Sequence, residues 1–202
     1  MRQQTNEWRL ARCGCIGASS IADVLATVRS GEAASRANLR TRLVVERITG
    51  RPVETFQSQA MLDGIEREPF ARAAYEAETG NLVQEVGWIP HPQIAGAGCS
   101  PDGLVGEDGI VQIKCPELTA HLKAIRGANI PGTYLKQMHW EMACTGRLWS
   151  DYWSYNSEFP QHLRGVRIRV ERDDEMIAHM EAEVRKLLAE VEEIVTELEA
   201  TE

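Results

Sequence analysis

The chain lacks several features that mark whole classes of protein. It has no apolar run near the roughly 18 residues that cross a membrane, and its first residues contain no apolar core of the signal-peptide kind. Its five cysteines are an odd number, which does not suit a secreted disulfide framework. The C-x-C of Cys13 and Cys15 has no second pair to complete a zinc site, and the histidines show no metal-ligand spacing. We therefore expect a cytoplasmic protein with reduced cysteines and no membrane span.

What is present is typical of a globular protein. The chain has 202 residues, of which 43% are hydrophobic and 26% are charged. No internal repeat or low-complexity linker divides it. The length and composition predict a single domain over residues 1–202 with a sizeable core.

Charge is distributed unevenly along the chain. The overall net charge of −8 argues weakly against a polyanionic partner. However, residues 171–202 carry a net charge of −9, whereas residues 1–51 carry +5. An acidic tail thus masks a basic front, so a nucleic-acid partner is permitted.

Hydrophobic spacing predicts helices first and strands later. This order indicates a mixed α/β (α+β) fold with a central mixed β-sheet flanked by helices. We expect an N-terminal helical part (1–80), a sheet with a flanking helix (81–170) and a C-terminal acidic amphipathic helix (171–202). The wide apolar stripe of the last helix favours packing on its own domain over a coiled coil. Individual helices are predicted at 17–29, 38–50, 61–80 (kinked or divided at Pro69), 133–146 and 175–200, and strands within 81–116 and at 148–156 and 164–174.

Residues 98–116 are the segment best suited to chemistry. The turn sequence GEDG at 106–109 predicts a hairpin, and strand alternation places Gln112 and Lys114 on one face, with Asp102 near the opposite position. Phosphodiester hydrolysis uses carboxylates to hold Mg²⁺ and a lysine to serve the attacking water. Hairpins with polar outer faces are common, so these residues alone favour an ordinary surface hairpin.

The same segment resembles the PD-(D/E)xK nuclease motif, and more closely the lambda-exonuclease-like family of phage alkaline exonucleases and viral recombinases. The family pattern is S-P-D-G, a turn, then E-[IL]-K-C-P; this chain has SPDG at 100–103 and QIKCP at 112–116. Blocks at 7–26, 64–76 and 134–146 match the family in the same order. Four ordered blocks are far more specific than one hairpin, and they favour a single nuclease domain with a restriction-endonuclease-like core.

The resemblance implies roles in metal binding and hydrolysis. Asp102 would be a direct metal ligand, and position 112 would supply the second carboxylate. The main-chain carbonyl of Ile113 would complete the shell, Lys114 would serve the attacking water, and Glu68 would bind a second metal or its water. The implied cofactor is Mg²⁺, two ions per site, with Mn²⁺ as a substitute.

A second set of residues matches family positions that contact DNA. The positions that hold the terminal 5′-phosphate correspond to Arg12, Ser19, Ser100 and Gln137, whose side chains can all donate to phosphate oxygens. Arg29 corresponds to an arginine that tracks the duplex, and Met61 to an apolar wedge that splits its end.

Several of these residues also have a purely structural explanation. The alternatives are a helix cap at Ser19, solvent exposure at Gln137, a pair between Arg12 and Glu7, and Glu66 or Glu76 in place of Glu68.

Position 112 departs from the family pattern, because the chain has Gln112 where the family has glutamate. Glutamine keeps the shape and one carbonyl oxygen but loses the charge, so Mg²⁺ affinity and rate should both fall. The glutamine is either natural, with weakened or altered metal use, or an introduced substitution that traps a substrate complex. The intact remainder of the site favours the second explanation.

The resemblance implies an Mg²⁺-dependent 5′-to-3′ exonuclease on linear double-stranded DNA. Such an enzyme processively releases mononucleotides and leaves a 3′ single strand for recombination by single-strand annealing. It also implies a homotrimeric ring threaded by DNA, a single-strand annealing protein as partner, and a place in the cytoplasm of a bacterial or phage-infected cell. The alternatives are a structure-specific endonuclease on the same scaffold and a non-catalytic DNA-end-binding protein.

Overall fold

The computed structural model describes residues 3–54 and 58–200, apart from the side chains of residues 60 and 61. Within these residues the helices are α1 (Asn6–Ala11), α2 (Ile21–Val24), α3 (Ala34–Thr49), α4 (Gln59–Thr79), α5 (Leu118–Ile125), α6 (Gly132–Thr145) and α7 (Asp174–Glu199). The strands are β1 (Val83–Gln84), β2 (Ile89–Pro90), β3 (Gly98–Cys99), β4 (Gly103–Val105), β5 (Gly109–Lys114), β6 (Trp149–Tyr155) and β7 (Gly165–Glu171).

Five of the strands form one mixed sheet in the order β1-β4-β5-β6-β7. The pair β5–β6 is parallel, and the other three pairs are antiparallel. A parallel pair needs a crossover between its strands, and α5 with α6 provides it. Strand β5, which carries the predicted catalytic residues, therefore lies in the middle of the sheet.

Helices cover both faces of this sheet. On one face, α4 packs Ala71 and Tyr75 against Val111 of β5. On the other face, α6 packs Met142 and Ala143 against Ile110 of the same strand. The predicted mixed α+β fold, with a central sheet flanked by helices, is confirmed.

The C-terminal helix α7 packs on its own chain. Its apolar stripe, which includes Val184, Leu187 and Val191, joins a core built with α2, α3 and α6. Its acidic face pairs with the basic front of the chain. The ion pairs are Arg36–Glu190 at 2.7 Å, Arg40–Glu190 at 2.9 Å and Arg47–Glu192 at 2.9 Å. The tail therefore neutralises some of the arginines of residues 1–51 by direct contact.

Local structure departs from the predicted helices in four places. The helix predicted over 17–29 is a 3-10 turn (Ala18–Ser20) followed by the single turn of α2. Val28, the last apolar residue of the predicted stripe, is 52% exposed, so no buried contact extends the helix to it. Pro69 does not divide α4, which runs unbroken. The short helices α1 and α5 were not predicted. No helix in the described part of the chain has the length and apolar character to span a membrane.

Candidate active site

The hairpin of β4 and β5 brings Asp102 beside Gln112. Gly103 pairs with Val111, so the residue before β4 lies opposite position 112. The Asp102 carboxylate accepts hydrogen bonds from the Gln112 side-chain amide and from the main-chain N–H of Ile113, the latter at 2.7 Å. The expected meeting of these side chains is thus present, and Asp102 is fixed by two donors from β5.

Gln112 does not lie on a solvent-exposed face. Its side chain is fully buried under α6, so the interpretation as an ordinary surface hairpin is wrong. Its Nε2 donates to Asp102, and its Oε1 has no hydrogen-bond partner among the described residues. A glutamate here would place a second buried carboxyl group against Asp102, and both can be ionised there only with a cation between them. The Gln112 amide instead donates a hydrogen bond to the Asp102 carboxylate without adding a charge.

Lys114 lies two residues further along the same face of β5. Its Nζ is 4.9 Å from the centre of the Tyr134 ring on α6. Burial raises the pKa of Asp102, and Lys114 is the largest influence that opposes this rise. The acid, the amide and the lysine therefore share one face, as the strand alternation predicts.

The covering helix α6 adds a carboxyl group that sequence reasoning missed. Gln137 donates to the Glu141 Oε1 at 2.9 Å, so Gln137 is not simply solvated. Glu141 is fully buried, and its Oε2 has no partner among the described residues. Burial, with the charge of Asp102 second, raises the pKa of Glu141 to about 8. The i, i+4 spacing of Gln137 and Glu141 was visible in the sequence, but their burial against the sheet was not.

Glu68 reaches the same region from α4. It lines an open cleft of about 660 Å³ together with Asp102 and Arg72. Burial, followed by the nearby charge of Asp102, raises the pKa of Glu68, and Arg72 holds the carboxylate at 2.8 Å. Of the alternative acids, Glu66 is exposed, and Glu76 accepts from the Val83 N–H at 2.7 Å in a structural role. The geometry favours Glu68.

Arg12 and Ser100 are joined through one tryptophan. The Arg12 guanidinium lies over the Trp8 ring, with 4.0 Å between Cζ and the ring centre, and the Trp8 indole N–H donates to the Ser100 hydroxyl at 2.9 Å. No ion pair between Arg12 and Glu7 occurs within the described ranges. The alternative explanation of Arg12, a pair with Glu7, is therefore absent there.

Ser19 lies on the exposed side of the 3-10 turn, against which α6 packs. Neither this turn nor α2 has a side-chain cap, so the capping explanation for Ser19 is wrong. A Cβ built on Gly17 would lie 3.4 Å from the Arg12 Nη2, which places the guanidinium beside this turn. The turn that carries Ser19 thus lies beside the arginine and packs on the helix that carries Gln137.

Arg42 of α3 is a further cation near Arg12 that sequence reasoning missed. It donates to the Ser20 hydroxyl at 3.2 Å, and its Nε is buried with no hydrogen-bond partner in residues 3–54 and 58–200. Burial, with the like charge of Arg42 second, lowers the pKa of Arg12. Two guanidinium groups that repel each other form a region favourable to an anion.

The two remaining predicted DNA contacts are Arg29 and Met61. Arg29 is exposed in the loop after α2. Met61 falls within α4, but its side chain lies outside the described residues. Both roles stay predictions.

The oxygen atoms of the site are of the kind that Mg²⁺ takes. Asp102 and Glu68 offer carboxylates, and the Gln112 Oε1, which has no hydrogen-bond partner in the described part of the chain, offers a buried neutral acceptor. Across the described residues, no three His, Cys, Asp or Glu side chains come together as a metal site. The donor types nevertheless suit a magnesium ion, with one charge fewer than a glutamate at position 112 would provide.

Known proteins similar to this chain include a recombinase domain family and solved exonuclease structures. Residues 7–148 match the YqaJ-like viral recombinase domain. An alkaline exonuclease, LHK-Exo, from Laribacter hongkongensis is 45% identical, with a TM-score of 0.89 and 97% of each chain covered. The structure of LHK-Exo in complex with dAMP has the same identity and coverage and a TM-score of 0.90.

A more distant relative shares the fold alone. The phage-related exonuclease from Haemophilus somnus 129PT is 13% identical, with a TM-score of 0.74 over 91% of this chain and 96% of that one. A comparison with curated proteins gave no match.

Proposed function

The chain belongs to the YqaJ-like viral recombinase family, and from this premise we propose that it is a deoxyribonuclease that digests linear double-stranded DNA from its ends. The observation that carries the proposal is the contact of Asp102 with the buried position 112, two residues before Lys114. This arrangement occurs in a chain that is 45% identical to an alkaline exonuclease over nearly its whole length.

The finer proposal is an Mg²⁺-dependent 5′-to-3′ exonuclease. Asp102, the Gln112 Oε1, the Ile113 carbonyl and Glu68 would hold the metal, and Mn²⁺ would substitute for it. A bound Mg²⁺ would stabilise the negative charge that develops on the phosphate. Lys114 would orient the attacking water through its Nζ and accept or return a proton there.

The end of the DNA would be held by a separate group of donors. Arg12, Ser19, Ser100 and Gln137 would bind the terminal 5′-phosphate. A chain held in this way is cut one nucleotide from its end, so the product is a mononucleotide. The complex of LHK-Exo with dAMP supports this proposal, because dAMP is a nucleoside monophosphate.

Gln112 would make this chain a slow enzyme. Its amide satisfies Asp102 without a cation, so metal binding must first break that hydrogen bond. The amide must also turn to present its oxygen, which attracts Mg²⁺ less strongly than a carboxylate. Both effects lower metal affinity while leaving the DNA-binding residues in place.

Assembly and context are further parts of the proposal. The family resemblance supports a ring of three subunits threaded by DNA, processive digestion, and a single-strand annealing protein that takes up the 3′ strand in the cytoplasm. The pairing of α7 with arginines of α3 limits the acidic charge that the chain presents to DNA.

A digestion assay with the Gln112→Glu variant tests the proposal. The substrates are a linear duplex with a 5′-phosphate, the same duplex with a 5′-hydroxyl, and a closed circle, all with Mg²⁺. We expect mononucleotides from the phosphorylated linear duplex, slower release from the hydroxyl form and no cutting of the circle. Cutting of the circle would indicate an endonuclease instead. Tight binding of ends without any cutting would indicate a DNA-end-binding protein.

A further inference from the structure

Trp8 is buried at one end of the predicted phosphate-binding group, with 8% of its surface exposed. It lies on α1, where its main-chain N–H donates to the side chain of the N-cap Thr5 at 3.2 Å. Arg12 follows it by four residues, which is the spacing that puts two side chains on one face of a helix. The local fold thus sets the contact between the two side chains.

The indole of Trp8 fixes the direction of the Ser100 hydroxyl. An indole nitrogen is only a donor, so the Ser100 oxygen must be the acceptor in the 2.9 Å bond between them. A hydroxyl has one proton, which this bond leaves unused. Within residues 3–54 and 58–200 the hydroxyl makes no other hydrogen bond. Ser100 is therefore left with a proton to donate to an incoming anion.

The ring face of the same indole holds Arg12. The guanidinium lies 4.0 Å from the Trp8 ring centre, and a second ring, Trp88, lies 5.9 Å away. Stacking uses the flat faces of a guanidinium and leaves the N–H groups at its edge free. No salt bridge to Arg12 is found in the described part of the chain. Its N–H groups stay available to a ligand.

We propose that Trp8 is a positioning residue for the terminal phosphate, because one indole orients two donors, Arg12 and Ser100, towards the same anion. This inference rests on the proposed function, since it names how the 5′-phosphate is recognised. Trp8 itself would not touch the phosphate. It would set the preference for phosphorylated ends over hydroxyl ends.

A binding measurement with the full chain tests this proposal. A dye-labelled hairpin duplex with one open end carries either a 5′-phosphate or a 5′-hydroxyl, and anisotropy in EDTA gives the two dissociation constants. The Trp8→Phe variant keeps the ring face but loses the N–H. We expect its preference for the phosphate, expressed as the ratio of the two constants, to fall roughly three- to tenfold, while binding of the hydroxyl end is unchanged.

A double variant separates positioning from general damage. Ser100→Ala alone should lower the ratio by a similar factor, and adding Trp8→Phe should lower it no further, because the indole acts through Ser100. Trp153→Phe is the matched control, since it removes a buried indole N–H bond to the Ala71 carbonyl outside this group. It should leave the ratio unchanged.

Three results would overturn the proposal. An unchanged ratio in Trp8→Phe, an equal loss for both ends, or a fully additive loss with Ser100→Ala would each show that Trp8 does not orient Ser100. If the parent chain shows no preference for a phosphate, the phosphate part of the proposed function fails together with this inference. If the preference exists but the Gln112→Glu variant does not digest DNA, only the nuclease proposal fails.

Discussion

The buried Glu141 makes a quantitative prediction about stability. In the unfolded chain its pKa should lie near 4.5, whereas in the folded protein burial raises it to about 8. Between these values the folded protein keeps a proton that the unfolded chain has lost. The stability therefore falls as the pH rises from about 5 to about 8, because the carboxyl group resists ionisation in the fold.

The size of this effect follows from the shift. Each pKa unit corresponds to about 1.4 kcal/mol, so a rise of three to four units gives roughly 4 to 5 kcal/mol. The Glu141→Gln variant is neutral at every pH and should not show this loss. We expect its free energy of unfolding to equal that of the parent near pH 5 and to exceed it by about 4 kcal/mol at pH 8.5.

Urea unfolding followed by tryptophan fluorescence measures this difference at several pH values. Glu193→Gln on the exposed side of α7 is the control, because it removes the same charge from a solvated position. A difference between Glu141→Gln and the parent that stays constant from pH 5 to 8.5 would refute the reasoning. So would a parent that is the more stable protein at high pH, since Glu141 would then be ionised and stabilised in the fold.

Two further predictions concern the sheet and the DNA partner. The fully buried Asp151 accepts hydrogen bonds from Arg169 at 2.8 Å and from the Tyr75 hydroxyl at 2.8 Å. In urea titrations, Asp151→Asn should lower the free energy of unfolding by about 2 to 4 kcal/mol, and Tyr75→Phe by about 1 kcal/mol. Equal losses for the two variants would contradict this ranking. The affinity for duplex DNA should fall steeply as the salt concentration rises, and a flat response would contradict a duplex partner. In a plot of the logarithm of the binding constant against the logarithm of the salt concentration, Arg42→Gln should reduce the slope by about one. An unchanged slope would show that Arg42 does not contact the DNA.

Much of the fold was predictable because the pattern that decides it is local. The apolar spacing of 175–200 is continuous over many turns, and α7 is found at Asp174–Glu199. The glycines expected to end α3 and α4 do so with positive φ, at 64° for Gly50 and 72° for Gly80. By contrast, α5 has only eight residues, Leu118–Ile125, and so few residues do not distinguish helical spacing from chance.

The site was predictable where it depends on one hairpin. The turn at 106–109 sets the register that brings Asp102 to Gln112, and this register is a local property. The burial of Gln112 depends on α6, which lies some twenty residues further along the chain, so alternation alone indicated a surface face. Three further residues reach the candidate site only because separate helices pack together, and a single sequence does not display this packing; they are Glu141, Arg42 and Trp8.

The central claim is that position 112 belongs to a catalytic strand in which one acidic ligand is neutral. The most direct test is the single-turnover rate of digestion of a 5′-phosphorylated linear duplex with Mg²⁺, compared between this chain and its Gln112→Glu variant. The same variant with Lys114→Met serves as the control for the chemistry of the strand. We predict that the Gln112→Glu variant digests the duplex at least tenfold faster than the parent, and that the added Lys114→Met change abolishes the gain. Equal rates for the parent and the Gln112→Glu variant would contradict the account.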